Sequence, residues 1–329
     1  MDVDAYANAH RAEWQRLAQL VERPRLSGPE SDELVALYQR TATHLSTIRS
    51  ASPDPALVAR LSTLVAKARA AVAGAHTPAW RVVARFFAVG FPAALYATRR
   101  WWLTVAAICL VASWVIGTWV AGSPEVQASI AAPEEIRRLV DVDFEAYYSA
   151  NPAASFAAQV WTNNAYVAAM CLVAGIVLLP VAYVLWGNVL NLGVTGGLMA
   201  GAGRLDLFFG LILPHGLLEL TAVFVAAGAG LRLGWTLVDP GPLPRSVAVA
   251  AVGRATVGMA LGVAVLLAVS GVIEAFVTPS GLPTWARVGI GVFAELAFVT
   301  YVWTLGRRAA RAGETGDVED AGDRLPTAG

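Results

Sequence analysis

His215 and Glu219 stand four residues apart inside an apolar stretch, DLFFGLILPHGLLELTAVFVAAGAGLRLGWTLV, residues 206–238. On a helix that spacing places an imidazole and a carboxylate on one face. Ionisable side chains at membrane depth are costly and turn toward the protein interior or a watery cavity. Between 161 and 306 the acidic residues are Asp206, Glu219, Asp239, Glu274 and Glu295. Asp206 and Asp239 fall at the ends of apolar runs, whereas Glu219, Glu274 and Glu295 fall within three different runs. With His215, and with Asn163 and Asn164 entering another run, they make up a candidate intramembrane polar site. Pro214 and Gly216 flank His215 and mark a break in its helix. Gly196 and Gly197, in the preceding segment, suit close helix packing.

Three chemistries fit these residues. His215 and Glu219 could ligate a metal, with Glu274 as a third ligand from another helix; one imidazole plus carboxylates is acceptable to zinc. The zincin arrangement needs a second histidine, and His215 is the only one in the apolar part of the chain, so the identity of any metal stays open. The same groups could instead relay protons or ions, as buried carboxylates do in transporters. In the structural reading, a carboxyl group hydrogen-bonds a backbone group freed near Pro214, or an asparagine of a neighbouring helix.

Motifs of other chemistries are absent. There is no Walker A loop, no GxSxG elbow, no CxxC and no strand-linked dinucleotide fingerprint. A non-enzymatic chain without a cofactor is therefore expected. Net charge is zero, and the basic residues near the apolar runs are explained by topology, so no nucleic-acid partner is expected. Cys109 and Cys171 both lie in apolar runs and read as small hydrophobes.

The elements that must position these groups are helices in lipid. The chain has 329 residues, 57% hydrophobic and 15% charged, with a mean hydropathy of +0.56. A soluble domain is typically about 45–50% apolar and about 25% charged. Both shifts, with runs of roughly 20 apolar residues, indicate an all-α, polytopic membrane protein. Its principal partner is then the lipid bilayer.

Residues 1–77 read as a water-soluble helical bundle. Trp14, Leu17, Leu20 and Val21 line a first helix that ends before Pro24. A second follows Ser27-Gly28-Pro29-Glu30 and buries Leu34, Leu37, Leu45 and Ile48. Ser52-Pro53-Asp54-Pro55 breaks the chain before a third, carrying Leu57, Leu61 and Leu64. No cleavable signal peptide is expected, since the first residues lack a basic region followed by an apolar one. Residues 78–100, with Trp80, Val83, Phe87 and Phe91 opposite Arg81 and Arg85, suit an amphipathic helix in the membrane interface.

Residues 101–306 form the transmembrane domain. Residues 1–100 carry 13 Arg/Lys against 8 Asp/Glu, and residues 123–160 carry 2 against 6. Basic flanks stay inside, so the N-terminus is expected in the cytoplasm and residues 122–160 outside the plasma membrane. There Ile136, Leu139, Val140, Phe144, Tyr147 and Tyr148 have helical spacing. A second crossing is expected over 157–187, kinked by Pro180. The glycine-rich segment 188–204 is short for a crossing. Two clean crossings, 255–277 and 284–306, separate the basic residues Arg232, Arg245 and Arg254 from Arg307, Arg308 and Arg311, so both clusters lie on one side. If the glycine-rich segment crosses, the chain has six crossings with both termini inside and that side is the cytoplasm. If it is re-entrant, there are five. The charges favour six. Residues 307–329 are expected as a disordered cytoplasmic tail.

Pro214-His215-Gly216-Leu217-Leu218-Glu219-Leu220, the glycine-rich run after it, Asn163-Asn164, and Ile273-Glu274-Ala275-Phe276 before Thr278-Pro279 together resemble the stage II sporulation protein M (SpoIIM) family. The resemblance reaches upstream to Leu37-Tyr38-Gln39-Arg40 and Leu64-Val65-Ala66-Lys67-Ala68. Asn188-Val189 departs from it, where Asn-Gly would be expected. The resemblance implies a membrane scaffold or assembly component of a cell-envelope complex, of a peptidoglycan-remodelling or sporulation-like kind. Its partners would be other envelope proteins and, through the N-terminal bundle, a cytoplasmic ATPase. The alternatives from the residues themselves are a transporter or channel-like protein, or an intramembrane metalloenzyme, using His215, Glu219 and Glu274.

Overall fold

A computed structural model describes residues 3–23, 26–51, 55–72, 79–147 and 153–317. The breaks expected at Pro24 and at Ser52, Pro53 and Asp54 lie outside these, as do Tyr148 and the tail from 318. The described residues are helical, without strands, and divide into two units, 1–82 and 83–329.

The first unit is a three-helix bundle of α1 (Val3–Val21), α2 (Gly28–Ala51) and α3 (Pro55–Val72). Leu17, Leu20, Ile48 and Leu61 are fully buried. Helix α2 starts where its sequence says it should. Glu30 reaches back to accept from the Ser27 backbone N–H at 2.9 Å and from its hydroxyl at 2.8 Å, the returning half of a capping box. These bonds hold the Glu30 carboxyl below its ordinary range. Arg16 of α1 grips Glu33 of α2 with two hydrogen bonds, 2.9 and 2.7 Å.

Beside that core sits a feature absent from the sequence reading. Trp14 Nε1 donates to His44 Nδ1 at 3.2 Å, and the His10 ring lies 3.9 Å from the His44 ring. Burial, then the neighbouring His10, pushes the His44 imidazole below its ordinary value. The unfolded chain therefore takes up that proton first, and the stability held by neutral His44 is lost as pH falls below the unfolded value of about 6.5. Hydrogen exchange on the intact protein should show α1–α3 losing protection between pH 7 and 5.5, after correction for intrinsic rates. His44→Gln should flatten that dependence; an unchanged slope in the variant would rule His44 out.

Among the described residues six helices are long and apolar enough to cross a membrane, all in the second unit but for the first three residues of the first: α4 (Trp80–Gly122), α7 (Ala158–Val177), α8 (Leu179–Gly201), α9 (Leu205–Val238), α10 (Arg245–Val277) and α11 (Thr284–Arg311). Between α4 and α7 lie two short helices, α5 (Pro124–Ile130) and α6. The latter begins as Pro133–Arg138 and continues through a π turn over Leu139–Asp143 to Phe144–Ala146. Side-chain packing orders the crossings. Ser113 Oγ donates to the Val189 carbonyl, and Gly117 faces Gly193 and Gly197, so α4 and α8 run parallel. Helix α9 runs against both, with Gly228 on Trp102. Its neighbours α10 and α11 alternate in turn, as Ser270 meets the His215 carbonyl and Thr221 meets Glu295. The start of α4 and the end of α11 thus share one face, called here the basic face because Arg99, Arg245, Arg254 and Arg307 lie near it.

Three boundaries differ from expectation, each for a local reason. The break between the second and third crossings is at Gly175–Leu178, not near Gly187. A 3₁₀ turn over Gly175–Val177 ends at Leu178 with φ +66°, and Pro180 sits in the first turn of α8. A proline there starts a helix rather than kinking one. The glycine-rich segment is consequently the far end of a full 23-residue crossing. Of residues 78–100, expected as a separate interfacial helix, those from Trp80 on run unbroken into the first crossing. A π turn over Phe86–Gly90 precedes Pro92, and residues 91–95 are buried. Finally, of residues 307–329, expected as a disordered tail, 307–311 end α11 and 312–317 are folded against the bundle. Arg254 donates two hydrogen bonds to Asp317, both 2.6 Å, and Gly316, with φ +83°, lies against Ala94. The acidic composition that reads as disorder here supplies the partner for a half-buried arginine.

Candidate functional site

The site grows from a defect in α9. Pro214 lies inside that helix and lacks the N–H that would bond the carbonyl one turn back. Glycines make the neighbouring backbone approachable: a Cβ at Gly291 would meet the carbonyl oxygens of Leu213 and Pro214, each at 2.5 Å, and one at Gly210 would meet Thr284. Helix α11 can therefore seat directly on the proline turn. On the other side Ser270 Oγ of α10 donates to the His215 carbonyl at 3.0 Å, adding an interhelical bond where the helix is perturbed.

Helix α10 ends nearby in a π turn over Ile273–Val277. Such turns recur at functional sites because the extra residue re-aims one side chain. Here it is Glu274, buried with 5% of its side chain exposed. The next residue after the turn, Thr278, places its hydroxyl 3.1 Å from His215 Nδ1. Arg287 of α11 donates to the Thr278 carbonyl at 2.6 Å, holding the helix end in place.

These elements bring three of the expected residues together. His215 Nε2 lies 3.7 Å from Glu274 Oε1. One ligand atom each of His215, Glu219 and Glu274 all lie within 4.8 Å of one another. Glu274 Oε2 is buried without a hydrogen-bond partner. Asn164 stands near Glu219. All four residues line a cavity of about 840 Å³, together with Asn163. Helix α9 rises about 1.5 Å per residue, which sets His215 and Glu219 in the half of the bundle away from the basic face.

Helix α6 covers the cavity on that far side. Val140 and Phe144 pack with Met199, Phe208 and Ala275, and the Phe144 and Phe208 rings stack at 5.7 Å. Asp143 and Tyr147 of the same helix face the cavity. Burial, then Glu274 and Glu219 across the same cavity, hold the Tyr147 phenol above its ordinary value.

Other expected residues lie elsewhere. Glu295 accepts from Thr221 at 3.0 Å, away from the cavity lining, with its second oxygen buried and unpartnered. Gly197 packs α8 on Gly117 and Val120, and Gly196 faces Phe208. Gly216 is buried beside the proline turn. Sequence reasoning missed Asn188, Asn191 and Thr195 of α8, which complete the polar wall. Their spacing of three and seven residues places them on one helical face, a signal hidden by the glycines among them. A second cluster, His10, Glu13 and His44, lies in the first unit and also groups potential metal ligands.

A polar wall, an imidazole and two carboxylates make a cavity suited to a charged or hydrogen-bonding guest. Against known proteins, residues 106–279 match the profile of the stage II sporulation protein M family, and residues 4–74 match a domain of unknown function, DUF8413. No curated protein and no solved structure matches the chain.

Proposed function

The chain belongs to the stage II sporulation protein M family, and on that premise we propose that it is a non-enzymatic membrane component of a cell-envelope assembly that works through its polar cavity. The observation that carries this reading is the convergence of His215, Glu219 and Glu274 on that cavity. A scaffold held only by lipid-facing packing has no need of buried carboxylates, which cost stability wherever they are placed in a membrane.

The charge distribution supports an N-terminus inside the plasma membrane, with the basic face cytoplasmic and α6 outside. The three-helix bundle would then meet cytoplasmic partners, an ATPase among them, and α5 and α6 would meet extracytoplasmic ones. Binding is favoured over conduction by the packing of the other half of the bundle. There Gly175 meets Gly230 and Gly234, and Gly228 meets Trp102, with backbones in contact. A transporter would have to part those contacts to open a path.

Complementation of a deletion strain, scored by envelope integrity, tests the reading. His215→Leu and Glu219→Leu should lose at least tenfold of the rescue at equal membrane levels, while Asp206→Leu and Asp239→Leu rescue normally. Equal effects at all four positions would remove the cavity from the function. Purification in mild detergent should bring down envelope proteins, and a chain that always purifies alone would defeat the assembly role.

A further inference from the structure

We infer that His215, Glu219 and Glu274 form a binding site for one divalent transition-metal cation of the zinc class. The inference deepens the reading of the cavity as the working part of the protein by naming what it holds.

The donor set is the first argument. The three ligand atoms come from two helices and lie within 4.8 Å of one another. A tetrahedral ion with bonds of about 2.0–2.1 Å keeps its ligands about 3.3 Å apart. The largest difference to close, 4.8 Å against about 3.3 Å, is a distance that side-chain rotation can cover. His215 Nε2 and Glu274 Oε1, at 3.7 Å, are already near that spacing and beyond hydrogen-bonding range.

The second argument is orientation. A metal-bound histidine usually engages its other ring nitrogen in a hydrogen bond that fixes the ring and its tautomer. Thr278 Oγ1 does this for His215 Nδ1 at 3.1 Å, which turns Nε2 toward Glu274. Thr278 is itself held by Arg287 through its carbonyl.

Charge supplies the third argument. Glu274 is almost wholly buried, lines the cavity, and leaves Oε2 without a partner. Two buried carboxylates facing each other repel unless a cation or a proton lies between them. A divalent ion satisfies both, along with the imidazole, and the cavity leaves room for water or a guest at its open position. One imidazole with two carboxylates and no thiolate favours zinc, manganese or iron over copper(I), and the imidazole disfavours magnesium and calcium. The neighbouring Glu295 lacks the imidazole and lies outside the cavity lining.

The test uses the full chain, purified in mild detergent, stripped with chelator, incubated with zinc or, in a parallel sample, with manganese, and desalted before elemental analysis. The wild type and Glu295→Gln should retain about one zinc per chain at this site. His44→Gln, which disables the separate His10–Glu13–His44 cluster, should retain it equally. His215→Gln, Glu219→Gln and Glu274→Gln should each lose at least tenfold in zinc affinity. Zinc should also raise the thermal unfolding temperature of the wild type, a readout that needs no variant to fold. Neither zinc nor manganese retained, with no thermal shift, would overturn the inference, as would retention unchanged in all three cavity variants. A metal-free cavity whose variants still fail complementation would overturn the metal alone. A metal-bound cavity whose variants complement normally would overturn the functional reading instead.

Discussion

Gly230→Ala is expected to prevent the transmembrane unit from assembling. A Cβ at Gly230 would lie 2.1 Å from the Cys171 carbonyl oxygen, and one at Gly175 would lie 2.2 Å from the Gly230 carbonyl carbon. A Cβ at Gly234, one turn further on, would lie 2.1 Å from the Gly175 oxygen. The obstacles are backbone atoms, so no rotamer change relieves them. The 3₁₀ turn that joins α7 to α8 would have to move away from α9, taking two crossings with it. Overpacking of a rigid site commonly costs about 1–3 kcal/mol, and a backbone clash of this depth belongs at or above the upper end. Without a hydrophobic drive between helices in lipid, that packing is what holds the turn against α9. Gly289→Ala is the matched control, because nothing lies within 4 Å of a Cβ there. It should be neutral or stabilise by up to about 1 kcal/mol through helix propensity. Monodisperse yield and thermal unfolding in detergent measure both. A Gly230→Ala protein that unfolds within a degree or two of wild type would show that the turn is not held by this contact.

The helical class and the number of candidate crossings were legible in the sequence because hydropathy and length read directly onto lipid thickness. What escaped was the boundary at Leu178. Its signal is a positive φ at a leucine between Gly175 and Pro180, and composition does not distinguish a proline that starts a helix from one that bends it. Asp317 escaped for a related reason. A short acidic segment reads as disordered until the arginine it pairs with, 63 residues away, is placed beside it. In the site, His215 and Glu219 follow from helical spacing, and Glu274 follows from the scarcity of intramembrane carboxylates. Their convergence rests on a π turn in α10, which no pattern of apolar residues announces. Glu295 met the same scarcity criterion yet pairs with Thr221 instead. Scarcity therefore nominates residues, and only packing assigns them. The His10–His44 contact in the bundle escaped too, since a histidine 34 positions away gives no local sign of stacking.

Glu274→Gln is expected to separate stability from function. The carboxylate is buried, carries an unpartnered oxygen and faces His215 Nε2 beyond hydrogen-bonding range. An amide of the same shape has no charge to desolvate, and its N–H₂ can donate to the imidazole. Relieving one buried unsatisfied group contributes about 1–2 kcal/mol. For a unit of this size that is roughly 3–6 °C in unfolding temperature. The stripped variant should therefore melt above the stripped wild type. With zinc at about a hundred times its dissociation constant, the wild type gains about 2.7 kcal/mol while the variant gains little, so the order of the two proteins reverses. Complementation should follow the metal rather than the melting temperature, with the more stable stripped protein failing to rescue. If the stripped variant instead melts lower than the stripped wild type, the Glu274 carboxyl is a structural hydrogen-bonding group. A site kept at a cost in stability is the mark of selection for something other than folding, and the reversal of order under zinc would reveal what that cost sustains.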